Sequence, residues 1–345
     1  MNRKLYIALV ASLSFFAACT ERPVDPVPSG PEASHSYIFF EPEVIESVES
    51  RAALVEGTSL PQAEGSAFGV LGFAGNNTTS IFTNSEESAA YVYWTTTGFA
   101  YDNLAIWHGN ETVHRFYAYY PYDLNTGSSI VPNDGNPYIS YTQPETEAGM
   151  QDILTAYVSR TSKDGPAVPL GFHHRLWALD VIIENSQSYP ADKPYLSTMT
   201  VNSISLKLND YPTGAQVYLD KNTSTILNNT TEDFTYSIPV NESNATIPDA
   251  SVKDDSGNSL NFGKYGPLLF LPVESGSFKY DLTISYKDAT GKDASFSTGL
   301  KTSKVKFEEG KRYTLTIKKT NDQFVVGSYF DAGNWTDASV NHTFN

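Results

Sequence analysis

The sequence has 345 residues, of which 40% are hydrophobic and 18% charged, with a formal net charge of −16. This much apolar material can form sizeable cores, so the composition excludes a largely disordered chain. The negative charge argues against nucleic acid as a partner, because its phosphates would be repelled. Twenty-two tyrosines and 19 phenylalanines against three methionines favour strands over helices.

The start of the chain has the pattern of a bacterial lipoprotein leader. A short basic start precedes an apolar run over residues 5–16, and two alanines then lead directly to Cys19, the only cysteine in the chain. The run is too short to span a membrane as a helix. We therefore predict a signal peptide over residues 1–18 and a lipid on the Cys19 thiol. An ordinary signal peptide with an incidental cysteine is the alternative.

Residues 19–36 are rich in Pro, Glu and Ser without apolar periodicity, which predicts a flexible tether. Strand candidates follow wherever short apolar or aromatic runs are bounded by turn residues. In the first half these candidates are Tyr37–Phe40, Phe68–Phe73, Tyr91–Trp94, Trp107–Tyr120 and Phe172–Asn185, while residues 151–159 fit either a helix or a strand.

Residues 186–193 have the composition of a linker, and a more regular pattern follows them. Apolar and polar residues alternate with period two in runs that contain Leu206, Val217, Tyr236, Leu282 and Leu315. Such alternation is typical of antiparallel sheets with one solvated face. We predict an all-β chain with two tandem antiparallel β-sandwiches, over residues 37–187 and 188–345.

Common catalytic motifs, such as Gly-x-Ser-x-Gly, His-Glu-x-x-His and a phosphate-binding loop, are absent from the sequence, so we predict neither an enzyme nor a cofactor. His173 and His174 could bind a metal, but neighbouring strand residues face opposite sides, which favours structural hydrogen bonds. Asp254–Asn258 resembles a calcium loop that lacks its final carboxylate, which favours a hairpin tip. We therefore predict no metal site.

Six tyrosines are concentrated within 25 residues, and two interpretations remain open for them. If exposed, their rings could stack on the apolar faces of sugars; if buried, they would be part of a sandwich core. The alternation around them favours burial. The six are Tyr117, Tyr119, Tyr120, Tyr122, Tyr138 and Tyr141.

Short motifs spread over nearly the whole chain resemble those of the Bacteroidales fimbrillin-like proteins, subunits of pili that are assembled from lipoprotein precursors. Together with the leader and Cys19, the motifs are Ser50–Ala52, Phe68–Val70, Arg115–Pro121, Gly171–Leu176, Leu269–Pro272, Phe307–Leu315 and Asn334–Asp337.

This resemblance implies two transthyretin-like sandwiches and an outer-membrane lipoprotein precursor that a trypsin-like protease cuts after an arginine. Arg51 is the matching position, and Ala52 would become the new N-terminus. Cleavage would remove the strand candidate Tyr37–Phe40 and expose a sheet edge and an apolar slot. An extended segment of the next subunit could then add as a strand.

The end of the sequence contains a candidate for that segment, because Ala338, Val340, His342 and Phe344 share one strand face. The alternative is that this tail completes its own domain. The function we predict is a structural subunit of a surface pilus, as stalk, tip or anchor, that serves adhesion. Its partners would be other pilus subunits, the outer membrane through the lipid, and a host glycan or protein receptor. A monomeric, surface-exposed, glycan-binding lipoprotein is the alternative function.

Overall fold

The computed structural model describes residues 37–45, 59–82, 89–132, 136–186, 198–274, 279–288, 290–301, 305–320 and 324–334. Within these ranges the chain is nearly all β, which confirms the predicted fold class. None of the helices in these ranges is long and apolar enough to cross a membrane.

In the described part of the chain, ten strands precede residue 187. They are β1 (Phe39–Val44), β2 (Ala67–Ala74), β3 (Ala90–Thr95), β4 (Gly98–Ala100), β5 (His114–Tyr120), β6 (Ser129–Val131), β7 (Tyr138–Thr142), β8 (Leu154–Arg160), β9 (Ala167–His174) and β10 (Trp177–Asn185). Two 3-10 turns, Glu147–Gly149 and Ser162–Asp164, lie between them.

Ten further strands follow. They are β11 (Met199–Pro212), β12 (Gly214–Tyr218), β13 (Ile226–Leu227), β14 (Thr231–Ile238), β15 (Thr246–Ile247), β16 (Phe262–Phe270), β17 (Lys279–Lys287), β18 (Asp293–Lys301), β19 (Lys311–Lys319) and β20 (Phe324–Asn334). Among the described residues, one short α-helix, α1, spans Glu242–Ala245.

The first half is built on a seven-stranded sheet with the order β1-β9-β8-β5-β2-β3-β4. Strand β2 lies inside this sheet and is buried on both faces, as expected from its uninterrupted run of apolar residues and glycine. The alternation predicted for β5 is confirmed, since Phe116 and Ala118 belong to one core and Tyr117 and Tyr119 to another. The strand begins at His114, however, and not at Trp107.

Two sheets form a sandwich that is built mainly from the second half and includes β10 from the first half. One has the order β16-β10-β19-β20, and the other has the order β14-β11-β17-β18 with β15 paired to β11. Aromatic contacts join the two sheets. The ring centroids of Phe270 in β16 and Tyr236 in β14 lie 5.4 Å apart, and those of Phe324 in β20 and Phe296 in β18 lie 4.9 Å apart. A smaller sheet, β13-β12-β7-β6, connects the two halves.

The segment predicted as one strand, Phe172–Asn185, is two strands in the structure, and this prediction was wrong. The break lies at Arg175 and Leu176, and β10 then pairs with β16 and β19 in the second half. Its inward residues Leu179, Val181 and Ile183 are buried as predicted. The division of the chain at 187/188 stays a prediction, although β10–β16, β10–β19 and β7–β12 pairing all cross it.

Among the residues that the structure describes, the buried apolar side chains form two cores. The smaller one, which we call the N-terminal core, lies on one face of the seven-stranded sheet and includes Phe40, Phe68, Val92 and Phe172. The larger core contains the opposite face of that sheet together with the sandwich of the second half. The seven-stranded sheet is therefore covered on both faces, and the N-terminal core is where β1 lies.

Candidate functional site: the groove that holds strand β1

Strand β1 is held along its length by parallel hydrogen bonding with β9. Phe39 is paired with Ala167 and Val44 with Phe172, and the Ile45 amide donates to the Phe172 carbonyl at 2.9 Å. In sequence order this strand comes before residues 46–58, which lie outside the described part of the chain. Two residues before β1, Tyr37 forms a bridge with Ile106, so the start of this segment contacts the residues that follow β4.

Side chains on one face of β1, together with Ile38 just before the strand, are buried in the N-terminal core. Ile38 is 0%, Phe40 7% and Val44 3% exposed. Four aromatic rings surround Phe40, with centroid distances of 6.5, 6.0, 5.3 and 5.9 Å to Phe68, Phe82, Tyr101 and Phe116. Rings at these distances stabilise one another beyond their simple burial. The site is therefore an apolar groove whose occupant is the strand β1.

The backbone at the start of the groove is fixed by Ala105 and Tyr101. The Ile38 amide donates to the Ala105 carbonyl at 3.0 Å. The Tyr101 hydroxyl donates to the Ile38 carbonyl at 2.8 Å and accepts from the Ala105 amide at 3.2 Å. Burial raises the pKa of Tyr101 well above its usual range, so this hydroxyl stays protonated and can donate.

Sequence reasoning identified the strand but missed most of the groove. Tyr101 and Phe82 come from connecting segments in which apolar residues show no regular period, so no local signal marks them as groove residues. The other predicted residues of this region, Cys19, Arg51 and Ala52, lie outside the described residues. So do the tail residues Ala338, Val340, His342 and Phe344.

The histidine pair on β9 has structural partners. The His174 Nδ1 lies 2.9 Å from the Asp152 Oδ1, and both side chains are fully buried. The Lys221 ammonium donates to the His173 Nε2 at 2.8 Å. Burial, and secondarily the Lys221 charge, lower the pKa of His173 to about 4. Across the described ranges, no group of three His, Cys, Asp or Glu side chains could hold a metal ion.

The resemblance of Asp254–Asn258 to a calcium loop has a simpler structural explanation. Lys253 and Ser259 form a bridge, and the Asp254 carboxylate accepts the amides of Ser256 and Asn258 at 2.9 and 2.8 Å. The segment is therefore a hairpin tip, as predicted.

The six tyrosines do not form one cluster. Tyr117, Tyr119 and Tyr141 are buried, which confirms the core interpretation for these three. Tyr122 is partly exposed and extends a row of rings that the sequence did not reveal: its centroid lies 4.6 Å from that of Tyr91, which is 43% exposed.

Solved structures show what fold this is. The chain is similar to a fimbrial protein from Bacteroides vulgatus, with a TM-score of 0.57 and 16% identity, over 87% of this chain and 100% of that one. It is also similar to a proposed cell adhesion protein from Bacteroides ovatus, with a TM-score of 0.50 and 13% identity, over 88% of this chain and 99% of that one. No match was found among curated proteins. The architecture is thus that of fimbrial proteins.

A model of the family described as fimbrillin-like matches residues 51–332. The chain therefore belongs to the fimbrillin-like family, as its motifs predicted. Members are structural proteins of cell-surface fimbriae, which identifies this chain as a pilus-type adhesion subunit that associates with other pilus subunits. The family also confirms the prediction that the protein is not an enzyme.

Proposed function

We propose that the chain is exported as an outer-membrane lipoprotein and then assembled into a surface fimbrium as a stalk, tip or anchor subunit. In this proposal residues 1–18 are removed, a lipid joins the Cys19 thiol, and residues 19–36 separate the folded part from the membrane. The leader pattern supports export, because a basic start, an apolar run and a single cysteine occur in the order that lipidation requires.

Assembly in this proposal begins with cleavage after Arg51, which makes Ala52 the first residue. The position of β1 is the observation that carries this step. Phe39–Val44 precede Arg51 in the chain, yet Ile38, Phe40 and Val44 are buried in a core made by residues that follow it. After cleavage only non-covalent contacts would hold β1, and its loss would expose the β9 edge and the groove beneath.

An extended segment from another subunit then takes the place of β1. Backbone hydrogen bonds to β9 and alternate apolar side chains in the groove are the two elements of strand addition. The segment from Ala338 to Phe344 is the donor candidate within this chain, since its alternate residues share one face. That segment follows β20 in sequence, so completion of its own sandwich is the competing role.

Expression of an Arg51→Ala variant in cells that display the fimbriae tests this proposal. We expect the variant to reach the membrane but to form few or no fibres in electron micrographs, because β1 remains covalently attached. Arg22→Ala is the matched control, since Arg22 lies before β1, where cleavage would leave β1 attached to the rest of the chain, and this variant should form fibres normally. Normal fibre numbers with Arg51→Ala would contradict cleavage at this site.

Glycan binding is a second candidate function, favoured by the row of tyrosine rings at the surface. The rings of Tyr91 and Tyr93 are stacked with their centroids 5.6 Å apart, and the Tyr91 ring packs edge to face against the Tyr122 ring. Aromatic faces of this kind suit the apolar C–H side of a sugar ring. Tyr91→Ala should abolish any binding detected on a glycan array, while Tyr138→Ala, which changes another partly exposed tyrosine, should not.

A further inference from the structure

The groove fixes the register of its occupant at one position. The Ile38 backbone is held on both sides, through its amide to the Ala105 carbonyl and through its carbonyl to the Tyr101 hydroxyl. The Phe39 amide, one residue further, donates to the Pro166 carbonyl at 3.2 Å. Because a one-residue shift turns every side chain to the other face, a new occupant must place chosen residues at the sites of Ile38 and Phe40.

These two sites differ in what they accept. Ile38 is fully buried and aliphatic, whereas the Phe40 side chain lies among four aromatic rings. A smaller side chain at the Phe40 site would leave a cavity between those rings, and a polar one at the Ile38 site would lose its hydration. The groove therefore favours an aliphatic residue followed, two positions later, by an aromatic residue.

The tail of this chain does not offer an aliphatic residue followed two positions later by an apolar aromatic residue. This holds in each register that turns Ala338, Val340, His342 and Phe344 toward the groove. With Ala338 at the Ile38 site, Val340 underfills the aromatic site. With Val340 at the Ile38 site, His342 enters the aromatic site and brings polar nitrogens into it. With His342 at the Ile38 site, a polar ring occupies a fully buried position.

We propose that the groove selects a segment of a different subunit, one with an aliphatic residue and an aromatic residue two positions apart, over the tail of an identical copy. The inference depends on the proposed strand exchange and deepens it, since it specifies the chemistry of the partner. A subunit with this selectivity would join a fibre of mixed composition through its groove and would not form a homopolymer by this route.

Peptide binding to the full mature chain tests the inference. Cys19→Ser removes the lipid, a specific protease site replaces residues 48–54, and cleavage frees β1 from its covalent connection. The cleaved protein is then titrated into a trace amount of each fluorescent peptide, and the apparent Kd is measured by anisotropy. The peptides are residues 36–45, the same with Phe40→Val, the same with Phe39→Val, residues 336–345, and the same with Val340→Phe.

We expect the peptide of residues 36–45 to bind and Phe40→Val to weaken it at least tenfold. Phe39→Val is the matched control and should stay within about twofold, because Phe39 faces away from the groove. The native tail should bind at least tenfold more weakly than residues 36–45, and Val340→Phe should recover at least fivefold. A native tail that binds as tightly as residues 36–45 would overturn the selectivity and leave strand exchange standing. Failure of every peptide, the 36–45 peptide included, would contradict strand exchange itself and the inference with it.

Discussion

Gly69 is the position in β2 where a tyrosine ring from the neighbouring strand packs directly on the backbone. A Cβ atom at this position would lie 2.2 Å from the Cε1 of Tyr119, a ring that is 1% exposed and cannot move aside. We expect Gly69→Ala to lower the free energy of unfolding by about 2 kcal/mol through overpacking. Urea unfolding measures this change.

Gly299→Ala is the matched control. Its new Cβ would lie 2.7 Å from the Asp281 Oδ1, which is the end of a flexible surface side chain. That carboxylate can rotate away, so the control should lose less than about 0.5 kcal/mol. Equal losses in the two variants would contradict the role assigned to Tyr119.

His173 makes the stability of the protein sensitive to pH. Its pKa is about 4 in the folded protein, whereas an unperturbed histidine has a pKa of 6.5. Between these values the unfolded chain binds more protons, so the free energy of unfolding falls as the pH is lowered from about 6.5 to about 4. His114, whose pKa burial also lowers, acts in the same direction.

We therefore expect the free energy of unfolding of His173→Gln to fall less than that of the parent as the pH is lowered over this range. Part of the pH dependence should remain, because His114 is still present. Lys221→Met should also flatten the profile, because it removes the charge that opposes protonation of His173. Urea unfolding at several pH values from 7 to 4 measures both. An unchanged slope in His173→Gln would show that this imidazole is not responsible.

At the scale of elements, β1 is a short strand whose attachment depends on one side chain more than on its neighbours. Phe40→Ala should lower the free energy of unfolding of the uncut chain by about 3 kcal/mol, because it empties a site enclosed by aromatic rings. Phe39→Ala changes the adjacent, less buried residue and should lower the free energy of unfolding clearly less than Phe40→Ala does. Similar losses in both would mean that Phe40 does not anchor the strand.

Period-two alternation allowed most strands to be predicted, because it depends only on which face of a strand is buried. Leu206, Tyr236, Leu282 and Leu315 are all buried in the larger core for this reason. The partners of β10 could not be predicted, since pairing with β16 and β19 joins residues far apart in sequence. Apolar residues lie on both sides of Arg175 in the segment 172–185, and this concealed the break at that residue.

The groove was only half predictable on the same grounds. Strand β1 has a local pattern, so Phe40 was found as part of a strand candidate. Tyr101, Ala105 and Phe82 lie in connections, where their contribution depends on the tertiary path of the chain. A sequence alone therefore indicates the strand that fills the groove more readily than the walls that hold it.

At the scale of the whole molecule, an ion pair between a buried arginine and a partly exposed glutamate joins the two halves of the chain. Arg175, at the break after β9, is 0% exposed, and its Nε lies 2.9 Å from the Glu309 Oε2 just before β19. The same guanidinium donates to the Thr223 carbonyl at 3.0 Å. Burial lowers the pKa of Arg175, and the Glu309 carboxylate opposes that shift.

Glu309→Gln should therefore lower the free energy of unfolding by about 3 kcal/mol, because it leaves a buried cation without its counter-charge. Glu308→Gln is the matched control, since the neighbouring carboxylate is exposed, and it should change stability by less than about 0.5 kcal/mol. Chemical denaturation compares the two. A neutral Glu309→Gln would argue against this ion pair as a connection between the halves.

We propose that the protein enters a fimbrium after it has lost the strand that fills its groove. Mass spectrometry of intact subunits from sheared, purified fimbriae tests this most directly. We expect subunits that begin at Ala52 and lack residues 37–45. Assembled subunits that still carry residues 37–45 in covalent connection with the rest of the chain would contradict it.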